Sequence, residues 1–202
     1  MKNEKFVITV SRQFGSLGRP IAEEAARQLG IDFYDRDIVE MTASAANVDA
    51  DQLEMHDEER YSRLERMAYP LGTTKNPIDQ EALFEIQKSI ILDIAENRKP
   101  CIIVGRCSDY ILKDYENALH VFIYASYEKR LENCITEFKM SMREAKRMIG
   151  MVDKARSSYY AFHTDRQFDA RDGRELMIDS GVFGVKGSVE LIKTAIKQKF
   201  GI

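Results

Sequence analysis

Val7-Ile8-Thr9-Val10-Ser11-Arg12-Gln13-Phe14-Gly15-Ser16-Leu17-Gly18-Arg19-Pro20-Ile21-Ala22 decides how the rest of the chain is read. Residues 6–10 are a short β-branched and aromatic run that reads as a buried strand. Gly15 and Gly18 then supply a turn. Ile21, Ala22, Ala25, Ala26 and Leu29 recur at helical spacing until Gly30 provides a stop. An anion binds at such a strand–glycine–helix junction. Glycines let main-chain N–H groups converge, and the unpaired donors and positive dipole end of the helix favour negative charge. Pro20 suits the first helical turn, where its missing N–H costs nothing.

Set against the phosphate-loop pattern G-x-x-x-x-G-K-[ST], the frame from Gln13 to Pro20 matches only at Gly18. Gln13 stands for the first glycine, Arg19 for the lysine and Pro20 for the metal-binding hydroxyl. Arg19 can clamp phosphate, but arginine for lysine is not a conservative exchange there. Proline offers no side-chain ligand, which leaves Ser11 or Ser16, or water and substrate oxygens, as partners for Mg²⁺. On the motif alone, Gly15 and Gly18 either bind phosphate or simply turn the chain.

Further strands are expected at residues 101–104, 120–124 and 175–178, with a shorter one at 31–34. Helical patterns lie between them. The longest places Leu83, Ile86, Ile90 and Ile94 on one stripe. Ser126 reads as an N-cap, and Ser141 with Glu144 reads as a capping box opening a helix to about Val152. Strands alternating with helices predict an α/β protein with a parallel sheet covered on both faces. Residues 47–79 are polar and 157–174 are dense in Arg and Asp without a clear period. Both read as excursions at the ligand-binding edge.

The length of 202 residues fits one domain, and the net charge of −3 lacks the basic footprint of a nucleic-acid binder. No apolar run reaches the roughly 18–20 residues of a membrane span, and the first residues lead straight into a strand pattern, so a cytoplasmic protein is expected. Cys101, Cys107 and Cys134 give neither a disulfide framework nor a zinc pattern and are expected as reduced thiols. His56, His120 and His163 lack ligand partners at metal spacing and read as structural or surface residues.

The pattern S-R-x-x-G-S-x-G-R within residues 8–22, Phe33-Tyr34-Asp35-Arg36-Asp37, Leu83-Phe84-Glu85-Ile86-Gln87, Ile103-Val104-Gly105-Arg106-Cys107-Ser108-Asp109-Tyr110, His120-Val121-Phe122-Ile123-Tyr124-Ala125 and Asp153-Lys154-Ala155-Arg156 together resemble the cytidylate kinase-like family along the whole chain. The resemblance implies a three-layer P-loop kinase fold with a five-stranded parallel sheet, a monophosphate-binding excursion (about 37–80) and a lid (about 154–174). It also implies ATP as donor, Mg²⁺, and a small nucleotide acceptor such as CMP. A homodimer is compatible with it.

Under that resemblance, Arg12, Gly15, Ser16, Leu17, Gly18 and Arg19 are the candidate ligands of the donor phosphates. Asp35 and Arg106 are candidates for the acceptor, and Arg19, Lys154 and Arg156 for charge stabilisation during transfer. Asp35 or Asp37 also fits the cap of the helix bearing Ile38, Met41 and Ala45. Cys107 replaces the aspartate of the family's Gly-Arg-Asp motif, so either Asp109 substitutes from the next turn or the site does not read cytosine in the family's way. Arg166, Arg171 and Arg174 read equally as lid or surface charges, and Arg63 or Arg66 could reach a phosphate. Two other functions fit the same residues: a kinase for a non-nucleotide acceptor, and a nucleotide-binding regulatory module without turnover.

Overall fold

The computed structural model describes residues 5–46, 80–97 and 99–201. The expectations for His56, Arg63, Arg66 and most of the 37–80 excursion lie outside them. Strand β1 (Val7–Arg12) leads through the glycine loop into α1 (Gly18–Leu29), followed by β2 (Asp32–Tyr34) and α2 (Arg36–Ala46). Then come α3 (Gln80–Asn97), β3 (Cys101–Val104), the short α4 (Ser108–Ile111), β4 (Ala118–Tyr124), α5 (Tyr127–Thr136), α6 (Met142–Thr164), β5 (Leu176–Asp179) and α7 (Ser180–Phe200).

The five strands form one sheet in the order β2-β3-β1-β4-β5, every pair parallel. β1 lies at the centre, with Val10 opposite Val104 on one side and Val121 on the other. The central strands are buried almost throughout, as a sheet covered on both faces requires, whereas β2 and β5 form the more exposed edges. One face buries Ile8, Val10, Ile102 and Ile123 against Ile21, Ala22 and Ala25 of α1 and Val189, Ile192 and Ile196 of α7. The other buries Val7, Cys101 and Ile103 under Ile38 of α2 and Ile91 and Ile94 of α3. A fully buried isoleucine contributes about 1.5–3 kcal/mol, so these two layers hold the sheet.

After β1 the chain places β2 and β3 to one side and β4 and β5 to the other, so the loop leaving β1 opens at the crevice where the strand order reverses. Ligands of parallel α/β sheets bind there. Gly30 ends α1 in the left-handed conformation, Ser126 caps α5, and Ser141 with Glu144 forms the capping box of α6, as their sequence signatures predict. Among the described residues no helix is long and apolar enough to cross a membrane.

Two expectations differ from the fold. Helix α6 does not stop near Val152 but runs to Thr164, absorbing the first part of the stretch expected to be irregular. Its buried stripe is Ala145, Met148, Ile149, Val152, Arg156, Tyr159, Tyr160 and Thr164, a continuous helical repeat in which an arginine occupies one core position. That charge, followed by Ser157 and Ser158, hides the period. The stripe of α3 is also rotated: Leu83, Phe84, Gln87, Ile91, Ile94 and Ala95 are buried, while Ile86 and Ile90 are only half-buried.

Candidate active site

The loop from Gln13 to Gly18 is pinned from behind through its carbonyls. Gln13 O accepts from Ser16 Oγ at 2.9 Å and Phe14 O from Arg130 at 3.1 Å. Gly15 O accepts from Asn133 Nδ2 at 2.8 Å, and Ser16 O from Ser180 Oγ at 2.6 Å. Gln13, at the place of the pattern's first glycine, is structural: its Oε1 accepts from the Ala125 N–H at 3.3 Å. The Phe14 N–H donates to Asp153 Oδ1 at 2.8 Å, and Asp153 Oδ2 pairs with Arg130. By contrast, the amides of Gly15, Leu17, Gly18 and Arg19 have no hydrogen-bond partner among the described residues. With carbonyls held and amides open, the loop is a cradle for an anion.

Leu17, at φ 58°, turns the chain into α1. A Cβ on Gly18 would stand 2.5 Å from Arg12 Cβ, and one on Gly15 2.8 Å from Arg130 O, so both glycines are required by close approach. A cavity of about 150 Å³ opens here, lined by the loop together with Arg12, Arg19, Phe138 and Arg156. The open amides, the cavity and the arginines fit the phosphates of a nucleotide.

Beside the loop, guanidinium groups gather around one carboxylate. Asp35, 3% exposed at the end of β2, takes Arg19 Nε on Oδ2 at 2.7 Å and has Arg12 Nη2 3.8 Å from Oδ1. Arg156 reaches across from α6 to donate to the Arg12 carbonyl at 3.0 Å. Burial is the main cause that lowers the Arg12 pKa, with Arg106 and Arg19 adding to it and Asp35 opposing. Arg156 is held well below the usual arginine value, first by burial and then by Arg12, with Arg106 adding and Asp153 and Asp35 opposing. Arginine stays protonated in proteins, so buried guanidinium groups this close to one another favour an anionic partner. Arg12 and Arg19 meet Asp35, Arg19 also pairs with Glu23 at 3.1 Å, and Arg156 feels Asp153 as well as Asp35, while Arg106 adds positive potential at Arg12 and Arg156.

Sequence placed Arg12 and Arg19 in one motif and Asp35, Arg106 and Arg156 in three others, and the fold brings them together. It does not bring Lys154 or Asp109. Lys154 is exposed on α6; residues two apart on a helix do not share a face, so it points away from the side that buries Arg156. Asp109, expected beside the acceptor, is instead buried in a second cluster, where Oδ2 accepts from Tyr160 Oη at 3.0 Å and pairs with Arg174 at 3.3 Å. Arg174 is neither a surface nor a lid charge: it is buried against the rings of Phe122, Tyr160 and Phe168. Arg166 lies over Tyr110 and Arg171 is exposed. Asp35 is engaged by arginines, which answers its alternative reading as a helix cap with a different partner.

Cys107 is 4% exposed and packs with Phe84, Tyr159 and Tyr160, and burial pushes its thiol pKa up. It cannot reproduce an aspartate's acceptor chemistry. All three cysteines are free and buried. His120 lies within the sheet with Nδ1 2.8 Å from Thr9 Oγ1, and His163 stacks on Phe84, both structural placements. Sequence motifs left out Arg130, Asn133 and Ser180, which hold the loop, and gave no role to Asp153, which holds it too. Asp153 had a signal, since it opens the Asp153-Lys154-Ala155-Arg156 motif; the other three had none.

The residues do not fit a protein-held Mg²⁺. Among the described residues no group of three or more His, Cys, Asp or Glu side chains is placed to bind a metal. Ser11 and Ser16 are buried, Ser16 Oγ donates to Gln13 O at 2.9 Å, and Pro20 offers no side-chain ligand, which leaves water and phosphate oxygens.

The architecture has solved relatives. The chain superposes on an uncharacterized protein from Eubacterium ventriosum ATCC 27560 with a TM-score of 0.70 and 20% identity, covering 95% of this chain and 98% of that one. It also superposes on the shikimate kinase of Bacteroides thetaiotaomicron (TM-score 0.54, 12% identity, 95% and 98% covered). The shikimate kinase of Acinetobacter baumannii in complex with shikimate is similar too (TM-score 0.54, 13% identity, 98% and 96% covered). At these identities the likeness carries the fold, that of P-loop kinases. No curated protein matches. The sequence signature of the cytidylate kinase-like family, however, matches residues 7–182, the span from the first residue of β1 through the sheet's last strand, and the chain therefore belongs to the cytidylate kinase-like family.

Proposed function

We propose that this protein transfers the γ-phosphoryl group of ATP to a small acceptor that already carries a phosphate, with a pyrimidine nucleoside monophosphate such as CMP as the leading acceptor. The observation that carries this reading is the gathering of Arg12 and Arg19 on Asp35, with Arg156 and Arg106 close by, beside a loop whose amides are open. Four arginines crowded beside the loop match two phosphate-bearing ligands better than one neutral acceptor.

Bound ATP supplies the phosphoryl group and its leaving group. In this reading the amides of Gly15, Leu17, Gly18 and Arg19 hold the donor phosphates. Arg12 and Arg106 hold the acceptor phosphate, and Asp35 accepts from an acceptor hydroxyl or amino group. Arg156, buried between the loop and the cluster, neutralises charge on the oxygens in transfer. No covalent intermediate is needed, so positioning and charge carry the catalysis.

The test is ADP release from ATP by pure protein with CMP, dCMP, UMP, AMP or GMP, beside an acceptor-free control and the Arg106→Ala variant. Turnover with one pyrimidine monophosphate, lost in the variant, supports the reading. Turnover no faster than the control with every acceptor overturns it. Two observations favour second readings. Cys107 in an apolar cluster favours an acceptor without cytosine, and Arg19 bound to Asp35 beside Pro20 favours a nucleotide-binding module without turnover.

A further inference from the structure

Helix α3 carries a polar residue on its buried stripe. Leu83, Gln87, Ile91 and Ile94 follow one another at helical spacing, and all are buried, Gln87 to 1% exposure. A buried amide is costly unless hydrogen-bonded. The Gln87 Nε2 donates to the main-chain carbonyl of Arg106 at 3.1 Å and lies 3.4 Å from Tyr159 Oη. Its Oε1 has no partner among the described residues. The side chain is therefore only half satisfied, and its shorter bond goes to a backbone oxygen of the turn that carries Arg106.

That oxygen sits in the middle of three consecutive left-handed residues: Gly105 at φ 75°, Arg106 at φ 61° and Cys107 at φ 53°. Glycine takes this conformation freely, whereas residues with a Cβ are strained there and persist only where the surroundings hold them. The neighbouring carbonyls are held by the turn itself. Gly105 O accepts from the Ser108 N–H at 3.1 Å, and Cys107 O from those of Tyr110 and Ile111 at 3.0 and 2.9 Å. Arg106 O is instead fixed by another element. The turn is also tied to β1 through Gly105 N–H to Val10 O at 3.0 Å, and a Cβ on Gly105 would run into the Arg12 guanidinium. The direction in which Arg106 leaves the backbone is set by this turn, and its charge is felt at both Arg12 and Arg156.

We propose that Gln87 is a positioning residue for Arg106: its amide clamps the Arg106 carbonyl, holds the left-handed turn at residues 105–107 and so aims the guanidinium at the arginine cluster. The proposal rests on the reading of that cluster as the acceptor site, and adds that acceptor affinity is tuned by an uncharged side chain of α3. Gln87 touches no acceptor itself and acts through Arg106.

Gln87→Met and Gln87→Glu test this against the parent protein. Methionine keeps the length and removes the donor together with the unpaired Oε1, so the fold should be retained. Three quantities are measured: the melting temperature, deuterium exchange of the amides at 105–108, and binding of CMP and of ATP by calorimetry. In Gln87→Met the melting temperature is expected to stay within a few degrees. Exchange at 105–108 should quicken and CMP binding weaken, each about tenfold, the worth of one hydrogen bond, with ATP binding unchanged. Gln87→Glu should show the same defect at pH 8, where a carboxylate faces the carbonyl. It should recover protection at 105–108 as acid protonates the carboxyl and restores a donor; the methionine variant should not recover. Unchanged exchange in Gln87→Met, or parallel loss of CMP and ATP binding, would overturn the proposal. If the parent binds no CMP, the acceptor reading fails by itself, and exchange with its acid rescue still decides whether Gln87 holds the turn.

Discussion

Arg19 Nε stands 2.7 Å from Asp35 Oδ2, so the arginine at the lysine position of the phosphate loop is tied to the carboxylate at the end of β2. One side chain is thereby shared between the cavity over the loop and the site proposed for the acceptor. Donor phosphates that draw Arg19 away from Asp35 leave that carboxylate, still beside Arg12, open to a hydrogen-bond donor on the acceptor.

Asp35→Asn should therefore tighten ATP binding while weakening the acceptor. The Arg19 half of the pair is partly exposed, which limits the gain to about threefold. Calorimetric titration of both ligands checks this. Loss of ATP affinity in the variant would mean that Asp35 supports the loop and does not compete for Arg19.

Arg156→Met should separate stability from activity. The arginine occupies a core position on α6, and Arg12 and Arg106 both oppose its charge. Replacing it with an apolar side chain of similar length should leave the melting temperature unchanged or raise it by a few degrees. Turnover should fall at least a hundredfold if Arg156 stabilises transferring charge. Thermal scans and initial rates on the same preparation give both numbers.

Asp153→Asn should loosen the loop. Asp153 holds the Phe14 N–H and pairs with buried Arg130, which also donates to Phe14 O. Leaving Arg130 without its carboxylate should cost about 3 kcal/mol, read as a lower midpoint in urea, and ATP affinity should drop with it. An unchanged midpoint would show that the pair is dispensable.

Gly18→Ala should damage the loop by contact alone. The added methyl meets the Arg12 side chain at 2.5 Å, closer than real Cβ atoms come, and overpacking of this kind costs about 1–3 kcal/mol. ATP binding measured beside the melting temperature should show both falling, because Arg12 must shift to make room.

Stability should decline as pH falls below about 6.5, the ordinary histidine value. Burial is the main cause holding the His120 pKa down, with Lys199 adding and Glu175 and Asp109 opposing; burial also lowers His163. With folded values below unfolded ones, the unfolded chain takes up protons first, so the contribution is complete above the unfolded pKa and is lost as pH drops through the folded one. Melting temperatures between pH 8 and 5 should show the decline, and His120→Gln should flatten it.

The sheet was legible because its signals are local. Residues 101–104 were read to the residue, and the other strands to within two residues at either end, since buried parallel strands are continuous apolar runs. The caps at Gly30, Ser126 and Ser141 were legible for the same reason. The end of α6 and the face of α3 were not, because Arg156 and Gln87 occupy core positions and break the apolar period used to find them.

Short-range order along the chain carries the α/β class, the phosphate loop with its departures at Gln13, Arg19 and Pro20, and the family. Glycine turns, caps and apolar runs are properties of neighbours in the chain, and they survive without coordinates. Which charges meet depends on contacts between distant segments. Asp109 and Lys154 stood in the same motifs as Arg106 and Arg156, yet a turn buries one with Arg174 and the helical rotation exposes the other. The pairing of Arg19 with Asp35 depends on where β2 ends beside the loop, which is fixed by the pairing of strands and the packing of helices far apart in sequence.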